Sequence, residues 1–162
     1  DARLYAGPHP VVAHPPCGPW GQFRMFSKHQ DASLAALAIE QVRRWGGALE
    51  HPRYSRLFDT FELPLPGHLP DVFGGVTLEL DQCRWGHVCR KWTWIYLIGV
   101  RPDRYPRLPP REPTHGMANG RSMRLSDGTL RKRASAEQRR RTPPAFAEFL
   151  VELARQCRRP HA

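Results

Sequence analysis

The chain has no apolar run approaching the ~20 residues that a membrane-spanning helix needs, so a helical membrane protein is not expected. It has no apolar core behind its opening Asp1-Ala2-Arg3, so no signal peptide is read there. A starting Met is lacking too, which reads as a fragment or a processed product. Cysteine is sparse: Cys17, Cys83, Cys89 and Cys157 are dispersed, which excludes a disulfide-stapled secreted scaffold and suits a reducing cytoplasm. Acidic residues are in deficit. Asp and Glu number 15 against 25 Lys and Arg, giving a formal charge of +10 and a pI near 10.3. Such a balance selects a polyanionic partner, with nucleic acid ahead of an anionic membrane because no basic amphipathic stretch accompanies it. Internal repeats are also missing.

What is present fits one domain of 162 residues with a modest core, 40% of the composition being hydrophobic. Its 17 prolines and 13 glycines put much of the chain into turns. Residues 9–52 read as one βαβ unit. Val11-Val12-Ala13 is a short apolar run, Asp31 or Ser33 caps a helix with Leu34, Leu37, Ala38, Val42 and Trp45 at helical spacing, and Gly46-Gly47 ends it. Ala48-Leu49 opens a second strand that Pro52 terminates. Val76–Leu80 and Trp92–Val100 read as two further strands. The expectation is a Rossmann-like α/β domain, mostly parallel, over residues 1–100. A Pro- and Arg-rich irregular segment follows over 101–141, with five prolines between Arg101 and Pro113. Over 142–162 a last helix, capped by Thr142 with Pro143 in its first turn, packs Phe146, Phe149, Leu150, Leu153 and Cys157 on the core.

Parallel strands joined by a helix lie side by side, and open α/β sheets bind ligands beyond the carboxyl ends of their strands. Cys17 follows the first strand in Pro15-Pro16-Cys17, and Glu50 closes the second in Glu50-His51-Pro52. A thiol and a carboxylate are therefore expected on one rim, suited to a nucleophile and a general acid. Taken singly, a lone cysteine is more often a buried structural thiol, and a loop glutamate is as often a solvated one as a functional one. Arg90 and Lys91, before the fourth strand, bring two cations able to hold phosphate or brace a carboxylate.

In this order the three motifs resemble the cytosine-5 DNA methyltransferase family. Val12-Ala13-His14-Pro15-Pro16-Cys17 is similar to its strand and Pro-Cys loop, and Leu49-Glu50-His51-Pro52 to its Glu-Asn-Pro motif. Trp85-Gly86 through Arg90-Lys91 to Ile95–Gly99 resembles a later motif of spaced arginines and an apolar strand. The resemblance covers residues 9–100, and more faintly 142–157. It implies that Cys17 attacks C6 of an extruded cytosine, that Glu50 protonates N3, and that Arg90 positions Glu50 or the base. Pro16, His51, Pro52 and Lys91 would line the substrate pocket. Carbon 5 would then accept a one-carbon group, with S-adenosylmethionine as cofactor and DNA as partner, in a phage or bacterial setting. The chain departs from the family at His51, where the family has Asn, and at Trp92, where a second Arg is expected. The family's Gly-rich cofactor turn is not found ahead of Cys17, and Gly46-Gly47 and Gly74-Gly75 are poor substitutes. The open readings are a fragment, a second chain supplying the cofactor half, a pocket that binds without chemistry, or different chemistry at C5.

Eight basic residues from Arg121 to Arg141 face Asp127 and Glu137 alone. Among them Arg131, Lys132, Arg133, Arg139, Arg140 and Arg141 are candidate phosphate contacts, although such runs are often solvated loops. Cys83, His87 and Cys89, with His14 or Cys17, are a weaker zinc reading whose spacing is no standard Cys pair. Three function classes stand: a cytosine-modifying enzyme, a non-catalytic DNA-binding module of the same fold, and a metal-supported nucleic-acid-binding protein.

Overall fold

The computed structural model describes residues 2–22, 24–28, 31–100, 108–117, 128 and 130–158. The βαβ unit forms as expected. Strand β1 (Val11–Ala13) leads to helix α1 (Ser33–Trp45), which returns the chain to β2 (Gly47–Pro52). β1 and β2 pair in parallel, Ala13 opposite Leu49. The cap differs from expectation. The N-cap is Ala32 without a side-chain bond, and the Asp31 carboxylate instead accepts from the Ser33 amide at 2.9 Å and hydroxyl at 2.6 Å. The buried face is also rotated: Ala35, Ala38, Ile39 and Val42 face the core, while Leu34, Leu37 and Trp45 are half-buried.

The turn from α1 into β2 depends on glycine. Gly46 and Gly47 sit at φ +77 and +116, a region that penalises residues with a Cβ. A Cβ on Gly47 would also fall 2.0 Å from the Val11 carbonyl oxygen. The bare backbone is what lets β2 start flush against β1.

The sheet is mixed rather than parallel, which corrects the Rossmann-like expectation. Its order is β1-β2-β4-β3, with β3 (Val76–Asp81) and β4 (Trp92–Ile98). β4 runs antiparallel to both β2 and β3. The link from β3 to β4 explains the difference. It consists of a 3-10 turn at Gln82–Trp85 and a short loop, whereas a parallel partner requires a long crossover, usually helical. Between β2 and β3 lies only the short helix α2 (Arg56–Thr60), capped by the Ser55 hydroxyl.

Each face of the sheet carries its own core. Alternation in β2 and β4 sends Leu49, Trp94, Tyr96 and Ile98 to the side of α1 and α2, with Phe58 and Ile39. It sends Ala48, Ile95 and Leu97 to the other side, under helix α4 (Pro144–Arg155) with its Phe146, Phe149, Leu150 and Leu153. α4 starts one residue later than expected, with Pro143 at the N-cap. Trp85 closes this second core, meeting Phe146 edge-on and Phe149 at a tilt, ring centroids 5.2 and 4.9 Å away. The segment before α4 has some order of its own. Strands β5 (His115–Gly116) and β6 (Lys132–Arg133) pair in parallel, and helix α3 (Ala136–Arg140) opens with a capping box between Ser135 and Gln138. Residues 101–107 and most of 118–129 lie outside the described residues, Arg121 and Arg124 included. Among the described residues no helix is long and apolar enough to cross a membrane.

Candidate functional site

The expected rim exists. Cys17 lies four residues beyond β1 and is exposed. Its loop is set by a turn in which the amides of Trp20 and Gly21 donate to the Cys17 carbonyl at 3.1 and 2.8 Å. Glu50 lies on the adjacent parallel strand, its side chain 11% exposed. The amino end of antiparallel β4 and the carboxyl end of β3 reach the same rim. Thr93, Lys91 and Gln82 join the two predicted residues there.

Glu50 is held from three sides. His14 Nδ1 lies 3.1 Å from Oε2, the Gln82 amide donates to Oε1 at 3.1 Å, and the Thr93 hydroxyl donates to Oε1. Burial by itself would raise this carboxyl. The bonds from His14 and Thr93 and the charges of His14 and Lys91 outweigh it and hold Glu50 below the usual carboxylate range. Glu50 is thus ionised at neutral pH.

Lys91 connects the pair. Burial lowers the pKa of its ammonium, against the opposing influence of Glu50 and Cys17, so one cation acts on both groups. Its Nζ also donates to the carbonyls of Arg140 and Arg141 at 3.5 and 3.2 Å, which seats the α3–α4 junction on the rim.

His51 takes the opposite face of β2 and is wholly buried. Burial drives its pKa down to about 4, although the Glu50 charge and the Pro16 carbonyl favour the charged ring. Among the described residues neither ring nitrogen has a side-chain hydrogen-bond partner. His51 is therefore a neutral ring beneath the Pro15-Pro16-Cys17 loop rather than a surface of the pocket. Pro52 is half-buried and faces Thr93 across the β2–β4 ladder, and Pro16 is exposed beside Cys17.

Arg90 is not brought to Glu50. Its guanidinium pairs with Asp81 at 3.1 Å and Glu112 at 3.5 Å. Asp81 is 1% exposed and also accepts from the amides of Cys83 and Lys91, both at 3.0 Å. Arg90 is bound up in fixing the β3–β4 turn. Arg131 departs from expectation in a similar way: its side chain is 4% exposed and pairs with Glu112 at 2.5 Å, so it offers no free charge to phosphate. Lys132, Arg133, Arg140 and Arg141 are exposed and Arg139 is half-buried.

Gln82 and Thr93 are the functional neighbours that sequence reading missed. Thr93 lies diagonally across the antiparallel ladder from Glu50 on the same face, a relationship visible only once β2 and β4 are paired in register. The zinc candidates Cys83, His87 and Cys89 are each engaged with backbone. The Cys83 and Cys89 thiols donate to the carbonyls of Arg111 and Gly116, and His87 Nδ1 accepts from the Cys89 amide at 3.0 Å. Among the described residues no three His, Cys, Asp or Glu side chains gather as a metal site.

The glycine turns do not fit an S-adenosylmethionine cradle. A Cβ on Gly46 would meet the Cys157 sulfur and one on Gly47 the Val11 backbone. Gly75 is pressed on the Tyr96 ring and precedes β3, at the end of the sheet away from Cys17. These glycines serve chain packing, and none opens backbone amides toward the thiol. No family model, curated protein or solved structure matches the chain.

Proposed function

We propose that this chain acts on cytosine in DNA in the manner of a cytosine-5 methyltransferase, with Cys17 as nucleophile and Glu50 as the partner of ring nitrogen N3. The observation that carries the reading is the parallel β1–β2 pair, which delivers an exposed thiol and an ionised carboxylate to one rim with Lys91 acting on both. The base must leave the duplex, because C5 and C6 are out of reach inside the stack. The Cys17 thiolate then bonds to C6. The C5=C6 electron pair moves through C4 to N3, which takes up a proton from solvent, shares it with the Glu50 carboxylate, and gives it back to solvent when the thiolate leaves.

The adduct leaves C5 electron-rich. It takes a hydron from solvent, loses the original C5 hydrogen, and expels the thiolate, so cytosine is restored with its hydrogen exchanged. The one-carbon transfer implied by the family would replace that hydron, and its donor is not routed through any residue described above.

The test is release of tritium from DNA labelled at cytosine C5. The expected result is release by the wild type and none by Cys17→Ala or Glu50→Gln. No release by the wild type from either single- or double-stranded DNA overturns the catalytic reading. One observation favours binding without chemistry: three donors already occupy Glu50, leaving about one of a carboxylate's four acceptor positions. That reading expects salt-sensitive DNA affinity that survives both substitutions.

A further inference from the structure

The end of the sheet that carries Cys17 and Glu50 bears, on the opposite face from Glu50, an exposed group of planar side chains. Arg53 and Tyr54 follow β2, and Trp92 opens β4 beside them. The Arg53 guanidinium lies 4.4 Å from the Tyr54 ring centroid and 5.4 Å from that of Trp92. Tyr54 is 54% exposed and Trp92 37%, whereas the rest of β4 is buried.

The stack is fixed from behind. Tyr54 sets its ring against Trp94 edge-on at 5.6 Å. The Trp94 indole donates to Glu79 at 2.9 Å, and Glu79 pairs with Arg53 at 2.9 Å. The Arg53 amide donates to the Trp92 carbonyl at 3.2 Å. Tyr54 also holds φ +62, a left-handed conformation that disfavours any side chain. Its ring is nonetheless left half-exposed.

The shelf is tied to the nucleophile loop. The Arg56 amide and the Ser55 hydroxyl both donate to the Trp20 carbonyl, at 3.0 and 3.4 Å, and the Trp20 amide donates to the Cys17 carbonyl. The turn holding Tyr54 and the turn holding Cys17 are therefore joined through the Trp20 backbone.

We infer that Tyr54, Arg53 and Trp92 form a stacking shelf for unpaired bases of DNA at the sheet end of the proposed cytosine pocket, across the sheet from Glu50. Naming the pocket's neighbour as cytosine rests on the reading above; the stacking does not. Rings stack on any base, and Arg53, neutralised by Glu79, presents a flat face rather than a phosphate clamp. The chain's charge of +10 and the exposed Lys132, Arg133, Arg140 and Arg141 complement the strand's phosphates. Paired bases are already stacked on each other, so the shelf selects single strands.

The experiment is fluorescence anisotropy with labelled oligodeoxythymidylate, a duplex of equal length and oligouridylate, across a salt series. Oligodeoxythymidylate should bind most tightly. Trp92→Leu and Tyr54→Gly should each weaken it about 5- to 100-fold while leaving the salt slope unchanged. Tyr54→Gly relieves the positive φ while losing the Trp94 and Arg53 contacts, so each variant's thermal midpoint is measured beside its affinity and binding is read well below it. Wild-type affinity in both variants, or tighter binding of the duplex or of oligouridylate, overturns the shelf. Tritium release separates this inference from the catalytic one. Trp92-dependent affinity without release leaves the shelf and removes the chemistry, whereas release with Trp92-independent affinity does the reverse.

Discussion

Lys91 donates its ammonium to the carbonyl of Arg141 at 3.2 Å. The same ammonium acts on Glu50 and Cys17, so the seat of the α3–α4 junction and the charge balance of the rim depend on one side chain. Lys91→Met keeps the aliphatic stem and removes both functions. A charge-assisted bond of this kind contributes about 1.5–3 kcal/mol. The variant should show faster tryptic cleavage after Arg140 and Arg141, mapped by mass spectrometry. Tritium release from C5-labelled DNA should fall at least about tenfold, in line with one lost charge interaction.

The four thiols differ sharply in setting. Cys17 is exposed, while burial raises the pKa of Cys83, Cys89 and Cys157. Thiolate character and access together govern alkylation. Limiting iodoacetamide should therefore label Cys17 first, and peptide mapping reads the order. Prior labelling should also block tritium release. Equal labelling of all four in the native protein would contradict the arrangement of the rim.

Arg90 separates a structural role from a chemical one. Its partner Asp81 is nearly sealed from solvent, and removing one member of a buried pair costs about 3–5 kcal/mol. The Arg90 side chain is itself 38% exposed, so water will screen part of that loss and about 2 kcal/mol is expected for Arg90→Met. Urea unfolding measures it. At saturating DNA and a temperature where the variant is folded, tritium release should change less than about threefold, because Arg90 does not face Glu50.

The parallel pair was legible in the sequence because local signals mark it. An apolar triplet, a helical period and a double glycine each act within a few residues. The antiparallel half was not, since periodicity carries no strand direction and β2 meets β4 across 41 to 51 positions of chain, from Pro52–Thr93 to Gly47–Ile98. The short Gln82–Lys91 link was the one available hint, being too brief for a crossover. Arg90 and Lys91 show the same limit on a finer scale. They are neighbours of like charge, yet one pairs with Asp81 and the other acts on Glu50. Adjacent residues entering a strand point to opposite sides, and nothing short of the register decides which cation receives which duty. Thr93 was hidden for that reason too.

Gly47 gives a direct test of the strand pairing that joins the two functional loops. Gly47→Ala would place a methyl 2.0 Å from the Val11 carbonyl oxygen at φ +116. The backbone term alone is about 1–3 kcal/mol, and the clash adds to it. Thermal unfolding should show a clear drop in midpoint. In the fraction that folds, hydrogen exchange of the Val11 amide, which bonds the Gly46 carbonyl at 2.9 Å, should accelerate. Gly67→Ala, where a Cβ meets no atom within 4 Å, is the control: it shares the positive φ without the clash and should cost less.

His51 sets an acid limit on the folded state. Its ring titrates near 6.5 in an unfolded chain and at about 4 in the fold. Between those values the unfolded chain binds the proton and the folded one does not, so stability rises with pH across that window. Read downward, the neutral-ring contribution is whole above about pH 6.5, drains away as the pH falls to about 4, and changes no further below that. The full swing is on the order of 3 kcal/mol. Glu50, whose carboxyl is held low, adds a loss of the same sign at lower pH. His51→Phe removes the titrating ring while keeping an apolar plate beneath the Pro16 loop. Urea-unfolding free energies at pH 7 and pH 4.5 should differ by markedly less in the variant than in the wild type. An unchanged difference would place the acid sensitivity elsewhere and deny that a neutral His51 underlies the cysteine loop.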